Sequence, residues 1–268
     1  MKTVAVIMSV YKNDHPDYLV TAINSILKQT YKSSLFLYRD GPVSHHIQEI
    51  LNNYKSNPEV EVIESDENKG LAFALNRLIN IVKGNFDYIA RMDSDDISRS
   101  NRIYEQVNYM EANPNIHVSG SFCEEFGASF ALKEKNLPTD HQSIIDFSIT
   151  RCPLIHPTVI FRSNVFIQGN KYPEKTILTE DMALWFSLLE QGYQFGNIPK
   201  PLLEYRLDEN TIQRRTGIKK AVSEIKVRFH FMKKLNKTSA KNTLLISSRL
   251  LFHILPQPII RFMYKYIR

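Results

Sequence analysis

The sequence predicts an α/β protein: a mostly parallel, Rossmann-like central sheet with helices on both faces, followed by a basic helical tail. Three observations carry this expectation. Short, near-continuous apolar runs recur, the pattern of strands buried on both faces. Stretches with apolar residues at helical spacing lie between them. The two kinds alternate through residue 92.

"TVAVIMSV" (3–10) is the first strand, and "HPDYLVTAINSILKQT" after it places Leu19, Ile23, Ile26 and Leu27 on one helical face. "LFLYRD" (35–40) reads as a strand, "HHIQEILNNYK" as a helix and "VEVIES" (60–65) as a third strand. "GLAFALNRLINIVKG" (70–84) is an amphipathic helix closed by a glycine. "FDYIARM" (86–92) is the fourth strand. Beyond Asp96 the pattern changes. A helix over 98–114 stops at Asn-Pro, and a strand pair follows over "IHVSGSFCEEF" and "SFALKEK" with its turn at Gly127. "TDHQSIIDFSIT" reads as a helix, "HPTVIFR" (156–162) as a strand and "TEDMALWFSLLEQG" (179–192) as a helix, and "YQFGNI" and "PLLEYRL" are short strands.

The chain has 268 residues with 43% apolar content, enough for one large core, or one core and a small appendage. Its two cysteines, Cys123 and Cys152, match no disulfide or metal spacing, which points to a reduced, cytoplasmic setting. "MKTVAVIMSVYKND" lacks the features of a signal peptide. No run approaches the roughly 18 apolar residues that span a bilayer. The net charge of +6 is unevenly distributed. Residues 219–268 carry 12 Lys/Arg and one acid, Glu224, a net of +11, whereas residues 1–218 carry 22 Lys/Arg and 27 acids, a net of −5.

"RMDSDD" (91–96) sets three carboxylates, Asp93, Asp95 and Asp96, at the end of the fourth strand. Open α/β sheets bind ligands beyond the carboxyl ends of their strands. Hard oxygen ligands placed there suit Mg²⁺ or Mn²⁺, which would relieve the mutual repulsion and bridge a diphosphate. The alternative is that one Asp caps the helix starting near Ser98 and the others are solvated. Glu180 and Asp181 likewise have a plain structural reading, as acids in a helix first turn with Thr179 as cap.

Five segments together resemble the family 2 glycosyltransferases, the inverting nucleotide-sugar enzymes of the GT-A fold, over roughly residues 3–215. They are "VIMSVYKN" (6–13), "LYRDGP" (37–42), "NKGLAFALNRLI" (68–79), "RMDSDDIS" (91–98) and "TEDMALWFSLLEQGY" (179–193). The resemblance implies a catalytic domain over 1–215, with a nucleotide-binding half (1–98) and an acceptor half (99–215). It places Ser9 and Tyr11 in the uridine pocket, has Asp40 accept the uracil N–H, and counts Asn68 among the nucleotide-sugar-binding residues, at the helix start that Asn68 and Gly70 shape. Asp93 and Asp95 become the Asp-x-Asp pair, Asp95 being favoured for metal contact, with Asp96 able to share either role. Asp181 becomes the general base, and Glu180 and His156 belong to the acceptor side. Arg206 and Arg214 are candidates to reach over the diphosphate. Two positions depart from the family pattern: Arg39 stands where a further Asp is common, and Leu75-Asn76 replaces a frequent Arg-Asn.

The implied activity is metal-dependent transfer of a hexose, galactose or glucose, from a UDP-sugar to a lipid-linked sugar. The acceptor would be carried on undecaprenyl diphosphate, in bacterial surface polysaccharide assembly. A sugar-phosphate nucleotidylyltransferase is the alternative enzyme, but "SVYKNDHP" lacks the glycine-rich loop it needs. A non-catalytic membrane or nucleic-acid binder is the third reading. The tail, residues 216–268, mixes Leu244, Leu245, Leu251, Phe252 and Leu255 with Arg249, Arg261, Lys265 and Arg268, and Pro256 and Pro258 interrupt it. This pattern predicts a helix lying on the anionic cytoplasmic leaflet, giving a peripheral enzyme. The alternatives are packing on the catalytic body or a homodimer contact. No DNA- or RNA-binding motif accompanies the charge, so nucleic acid is not an expected partner.

Overall fold

The computed structural model describes residues 1–176, 179–211 and 217–266. Eight strands form one sheet in the order β3-β2-β1-β4-β7-β6-β8-β5. These are β1 (Val4–Val10), β2 (Ser34–Arg39), β3 (Val60–Glu64), β4 (Tyr88–Arg91), β5 (Ile97–Ser98), β6 (Val118–Phe126), β7 (Ile160–Arg162) and β8 (Phe195–Arg206). β1, β2, β3 and β4 run parallel, as expected. The remaining half is mixed: β7 is antiparallel to β4 and β6, β6 is parallel to β8, and β5 is antiparallel to β8.

The apolar continuity of β1 follows from burial on both faces. Val4, Val6, Met8 and Val10 pack with α1 (Pro16–Leu27), α2 (His45–Tyr54) and α4 (Arg102–Ala112). Ala5 and Ile7 face the other way, toward α3 (Leu71–Val82), α5 (His141–Ser148) and α7 (Glu180–Glu190). α1 begins at Pro16, whose fixed φ suits a first helical position. Ser44 caps α2 by accepting from Ile47 N–H at 3.3 Å, and Asp140 caps α5 by accepting from Ser143 N–H at 2.9 Å.

Three readings are corrected. Residues 129–135 form no strand: a single bridge links Cys123 to Lys135, and Phe130 turns inward to pack with Leu207 and Ile260. The two expected strands over 193–207 are one strand, β8, whose pairing with β6 shifts register around Pro199 and Pro201, where no N–H can donate. His156–Thr158 is a 3₁₀ turn, so β7 starts only at Ile160. A short α6 (Asn164–Ile167) follows it.

The tail contains α8 (Ile218–Lys234), α9 (Ala240–Ile254) and α10 (Gln257–Tyr266). It packs on the body, the structural alternative to a membrane-lying helix. Met232 and Ile246 share a cluster with Met182 and Phe186 of α7, and Ile260 joins Phe130 and Leu207. Leu251 and Phe252 lie outside the described side chains. Among the described residues no helix is long and apolar enough to cross a membrane.

Candidate active site

Strand order reverses at β1, with β2 on one side and β4 on the other, which opens a crevice beyond their carboxyl ends. Tyr11 follows β1 there, and Asp93, Asp95 and Asp96 follow β4. One carboxylate oxygen from each of the three aspartates lies within 4.8 Å of the others. Buttresses oppose their repulsion. Arg91, buried, makes an ion pair with Asp93. Arg102, fully buried, donates from Nη2 to the Arg91 carbonyl at 2.6 Å. Arg206 donates its main-chain N–H to Asp96 Oδ1 at 2.8 Å and its Nε to the Asp95 carbonyl at 2.8 Å. β5 starts one residue after Asp96 and pairs with β8, so the loop is pinned at both ends. None of the three caps a helix, because α4 starts only at Arg102 behind Asn101.

Burial, then the Asp93 charge, pushes the Asp95 carboxyl up to about 6. The same two causes raise Asp96 above the usual carboxylate range. Asp96 is fully buried, and its Oδ2 has no partner among the described residues. Asp14 belongs to this group, although the sequence did not single it out. It accepts the Tyr11 N–H at 2.9 Å, and burial pushes it up to about 7, with the Asp95 and Asp93 charges adding to the rise. An oxygen-only donor set, crowded carboxyls and an unsatisfied buried oxygen fit a hard divalent cation such as Mg²⁺ or Mn²⁺.

A cleft of ≈ 1120 Å³ runs from Tyr11, Asp93 and Asp95 to Glu180 and Asp181 in the first turn of α7. Asp181 Oδ1 accepts the Met182 N–H at 2.6 Å, and the Cys152 thiol approaches Oδ2 at 3.8 Å. Burial, then the Asp181 charge, pushes the Cys152 thiol up to about 12, so it stays a neutral donor. Burial, then Asp181, also raises Glu180. Thr179 does not cap α7: no side-chain capping bond forms, and its hydroxyl meets that of Ser223 at 3.3 Å.

The other expected residues divide. Tyr11, expected in the uridine pocket, is 38% exposed and lines the cleft. Ser9 is half-buried in β1. Asp40, expected to accept the uracil N–H, is 2% exposed. Its two oxygens already accept the N–H groups of Lys69 and Gly70, each at 2.8 Å. Asn68 Nδ2 closes this junction on the Asp40 carbonyl at 2.9 Å. Gly70 leads into α3 with φ 89°, in the left-handed region that favours glycine. His156 lines the cleft but is anchored from below, with Nε2 2.9 Å from Tyr172 Oη and its ring edge-on to Trp185. Burial, then the Arg91 charge, lowers its pKa well below the ordinary value, so it is neutral. Trp185 is buried in the core. At the departures from the family pattern, Leu75 is buried in the core, and Asn76 exchanges hydrogen bonds with the Tyr172 main chain at 2.8 Å each way. Arg206 is sandwiched 3.8 Å above the Tyr18 ring and 4.4 Å from the Phe126 ring, fixed beside the acidic loop. Arg214 lies outside the described residues. Arg151, Arg228 and Arg249 also line the cleft, and no motif marked them in advance.

An acidic loop at a sheet switch point, facing a helix-borne carboxylate across a cleft, on this mixed sheet, defines a glycosyltransferase of the GT-A fold. The chain belongs to glycosyl transferase family 2, whose profile matches residues 5–184. It is 32% identical over 269 residues to the UDP-Gal:alpha-D-GlcNAc-diphosphoundecaprenol beta-1,3-galactosyltransferase of Escherichia coli, covering 97% of this chain and 94% of that one. It is 27% identical to the amylovoran biosynthesis glycosyltransferase AmsE of Erwinia amylovora, with 97% of each chain covered. Among solved structures it resembles Staphylococcus aureus TarS 1–349 in complex with UDP-GlcNAc, with TM-score 0.68 and 14% identity, covering 94% of this chain and 72% of that one. The mannosyltransferase PcManGT of Pyrobaculum calidifontis, in complex with GDP-Man and Mn²⁺, matches with TM-score 0.64 and 13% identity, covering 98% of this chain and 73% of that one. Family membership sets aside the nucleotidylyltransferase and the non-catalytic readings.

Proposed function

We propose that the chain transfers galactose, with inversion, from UDP-galactose to a hydroxyl of a lipid-linked sugar diphosphate in bacterial surface polysaccharide assembly. The observation that carries the reading is that Asp93 and Asp95 share one cleft with Asp181. The choice of galactose and of a GlcNAc-diphosphate-lipid acceptor is supported by the likeness to the Escherichia coli galactosyltransferase.

In this reading Tyr11 stacks on the uracil and Ser9 lines the same pocket, while Asp40 and Asn68 hold the loop before α3 that forms its wall. Asp93 and Asp95 would hold Mg²⁺ or Mn²⁺, with Asp96 behind them. When bound, the ion neutralises charge on the departing diphosphate. Asp181 accepts the proton of the acceptor hydroxyl as that oxygen attacks the anomeric carbon from the face opposite UDP. The Met182 N–H fixes Asp181 Oδ1 for this task. Glu180 and His156 shape the acceptor side, and neutral His156 offers hydrogen bonding rather than charge. Arg206 holds the acidic loop in register, and residues 1–215 form the catalytic unit.

A lipid-linked acceptor brings the enzyme to the cytoplasmic leaflet. Peripheral attachment there is supported by Leu244, Leu245, Leu250, Ile259 and Phe262, all exposed on α9 and α10 within the basic tail. The test of the function is UDP release from a panel of UDP-sugars, with Mn²⁺ and a GlcNAc-diphosphate-lipid analogue. Product formation with UDP-galactose supports the reading. UDP release that survives both Asp95→Ala and Asp181→Asn unchanged refutes it.

A further inference from the structure

The cleft does not end at Asp181. It continues to a wall formed by Arg151, Lys220, Arg228 and Arg249, with Glu224 the acid among them. We propose that Arg228 and Arg249, with Arg151, form a seat for the diphosphate of the acceptor. The inference rests on the functional reading above and names the group recognised at its acceptor end.

The two arginines are built into place. Glu224 Oε1 accepts from Arg228 Nε at 2.9 Å and from Arg249 Nε at 2.5 Å, so one carboxylate oxygen holds both guanidinium groups side by side. Arg228 Nη1 donates to the carbonyls of Ser148 and Ile149 at 2.9 and 3.0 Å. Arg249 Nη1 donates to the Thr150 carbonyl at 3.0 Å. This network uses Nε and Nη1 of each arginine, and none of its bonds among the described residues employs either Nη2. Arg228 is 2% exposed, and the Glu224 carboxylate is shared between it and Arg249. Burial, then the Arg249 charge, lowers the Arg228 pKa, in keeping with two like charges held close together. Arg151, next in the chain after Thr150, lies over the Phe147 ring at 5.8 Å and lines the same cleft. A paired set of planar, fully ionised donors suits phosphate oxygens.

The position suits the acceptor rather than the donor. Cys152 touches Asp181 at 3.8 Å and also feels the Arg228 charge, which places the arginine end next to the general base. In a lipid-linked sugar the diphosphate is attached to the ring that carries the attacking hydroxyl. A hydroxyl at Asp181 therefore directs its diphosphate to a neighbouring wall. The donor diphosphate belongs at the acidic end, with its cation. The cleft thus sorts two diphosphates by charge.

The test compares two water-soluble acceptors, GlcNAc-diphosphate-alkyl and GlcNAc-alkyl, with wild type, Arg249→Gln, Arg151→Gln and Arg249→Lys, with no vesicles present. Losing a charge-assisted phosphate contact raises KM for the diphosphate acceptor about 10- to 100-fold. The expected result is that rise in both Gln variants, with partial recovery in Arg249→Lys. KM for GlcNAc-alkyl and KM for UDP-galactose stay at wild-type values, measured at a temperature where every variant is folded. Equal loss on both acceptors means a structural role and overturns the seat, as does no change on either. An effect that appears only when anionic vesicles are added assigns the arginines to lipid headgroups and also overturns it. Failure of the functional reading shows separately, as no UDP–Mn²⁺ binding and no UDP release by wild type. Calorimetric titration with the two acceptor analogues then judges the seat without turnover: equal affinity of wild type for both, or of wild type and Arg249→Gln for the diphosphate compound, overturns it.

Discussion

Asp14 and Asp95 carry the sharpest consequences of burial. Their carboxyl groups stand at about 7 and about 6, above the ordinary value, because desolvation penalises the charged form. A folded-state pKa raised in this way contributes stability that is present below the unfolded carboxylate value and lost as pH rises through the folded one. In the presence of a chelator, Tm followed from pH 5 to pH 8 is expected to fall by several degrees through this pair. Asp14→Asn is expected to flatten part of that fall, and an unchanged slope would refute the assignment. Mn²⁺ added at pH 8 is expected to raise Tm by binding the ionised cluster, and Asp95→Ala to abolish the rise. Asp181→Asn separates chemistry from binding. Asparagine keeps the shape and can still accept the Met182 N–H through Oδ1, but it has lost the basic carboxylate. Its kcat is expected to fall about 10²- to 10⁴-fold while calorimetric UDP–Mn²⁺ affinity holds. A kcat within threefold of wild type would remove Asp181 from the base role.

At the scale of elements, residues 1–96 were legible because local pattern and tertiary position agree there. β1 is apolar at every buried step since both faces are covered, and the chain leaves α3 through Gly84 with φ 85°. Beyond residue 96 the elements were less legible because distant partners decide their structure. β5 is two residues long and exists only through β8. Residues 129–135 alternate like a strand, yet Phe130 is drawn to Leu207 and Ile260 instead. The site followed the same division. Asp93, Asp95 and Asp181 sit in motifs at element ends, whereas Asp14 is a lone acid in a turn, and Arg228 and Arg249 are two cations in a basic tail. The β2–α3 junction gives the element-scale prediction. Gly41 has φ 84°, and a Cβ there would meet the Asn68 main-chain nitrogen at 2.6 Å. Gly41→Ala combines backbone strain with a clash against main chain, costing about 2–4 kcal/mol. Denaturant unfolding is expected to show that loss, together with weaker UDP binding if the Asp40–Gly70 clamp forms the pocket wall as proposed. A stability change below about 0.5 kcal/mol would mean the junction relaxes freely.

For the whole molecule, charge separates along the chain and then meets again in space. Residues 219–268, at +11, supply Lys220, Arg228 and Arg249 to a cleft whose other lining residues, Asp93, Asp95 and Asp181 among them, come from the acidic first 218 residues. The tail is therefore both part of the site and a surface. Ile246 and Ile260 point inward, while Leu244, 71% exposed, and Phe262, 58% exposed, do not. Apolar side chains at the headgroup boundary and lysines and arginines in the field of anionic lipid act together, the electrostatic part contributing about 1 kcal/mol per cation and weakening with salt. Co-sedimentation of the full chain is expected with vesicles containing phosphatidylglycerol and not with phosphatidylcholine alone, and to decline between low and high salt. Leu244→Asp with Phe262→Asp places acids on the outward surface while leaving Ile246 and Ile260 seated. The double variant is expected to lose vesicle binding and turnover of a long-chain lipid acceptor, yet keep wild-type turnover of a short-chain one. Loss on both acceptors would instead show that these residues support the cleft. Vesicle binding by the double variant equal to wild type would move the membrane contact to another face.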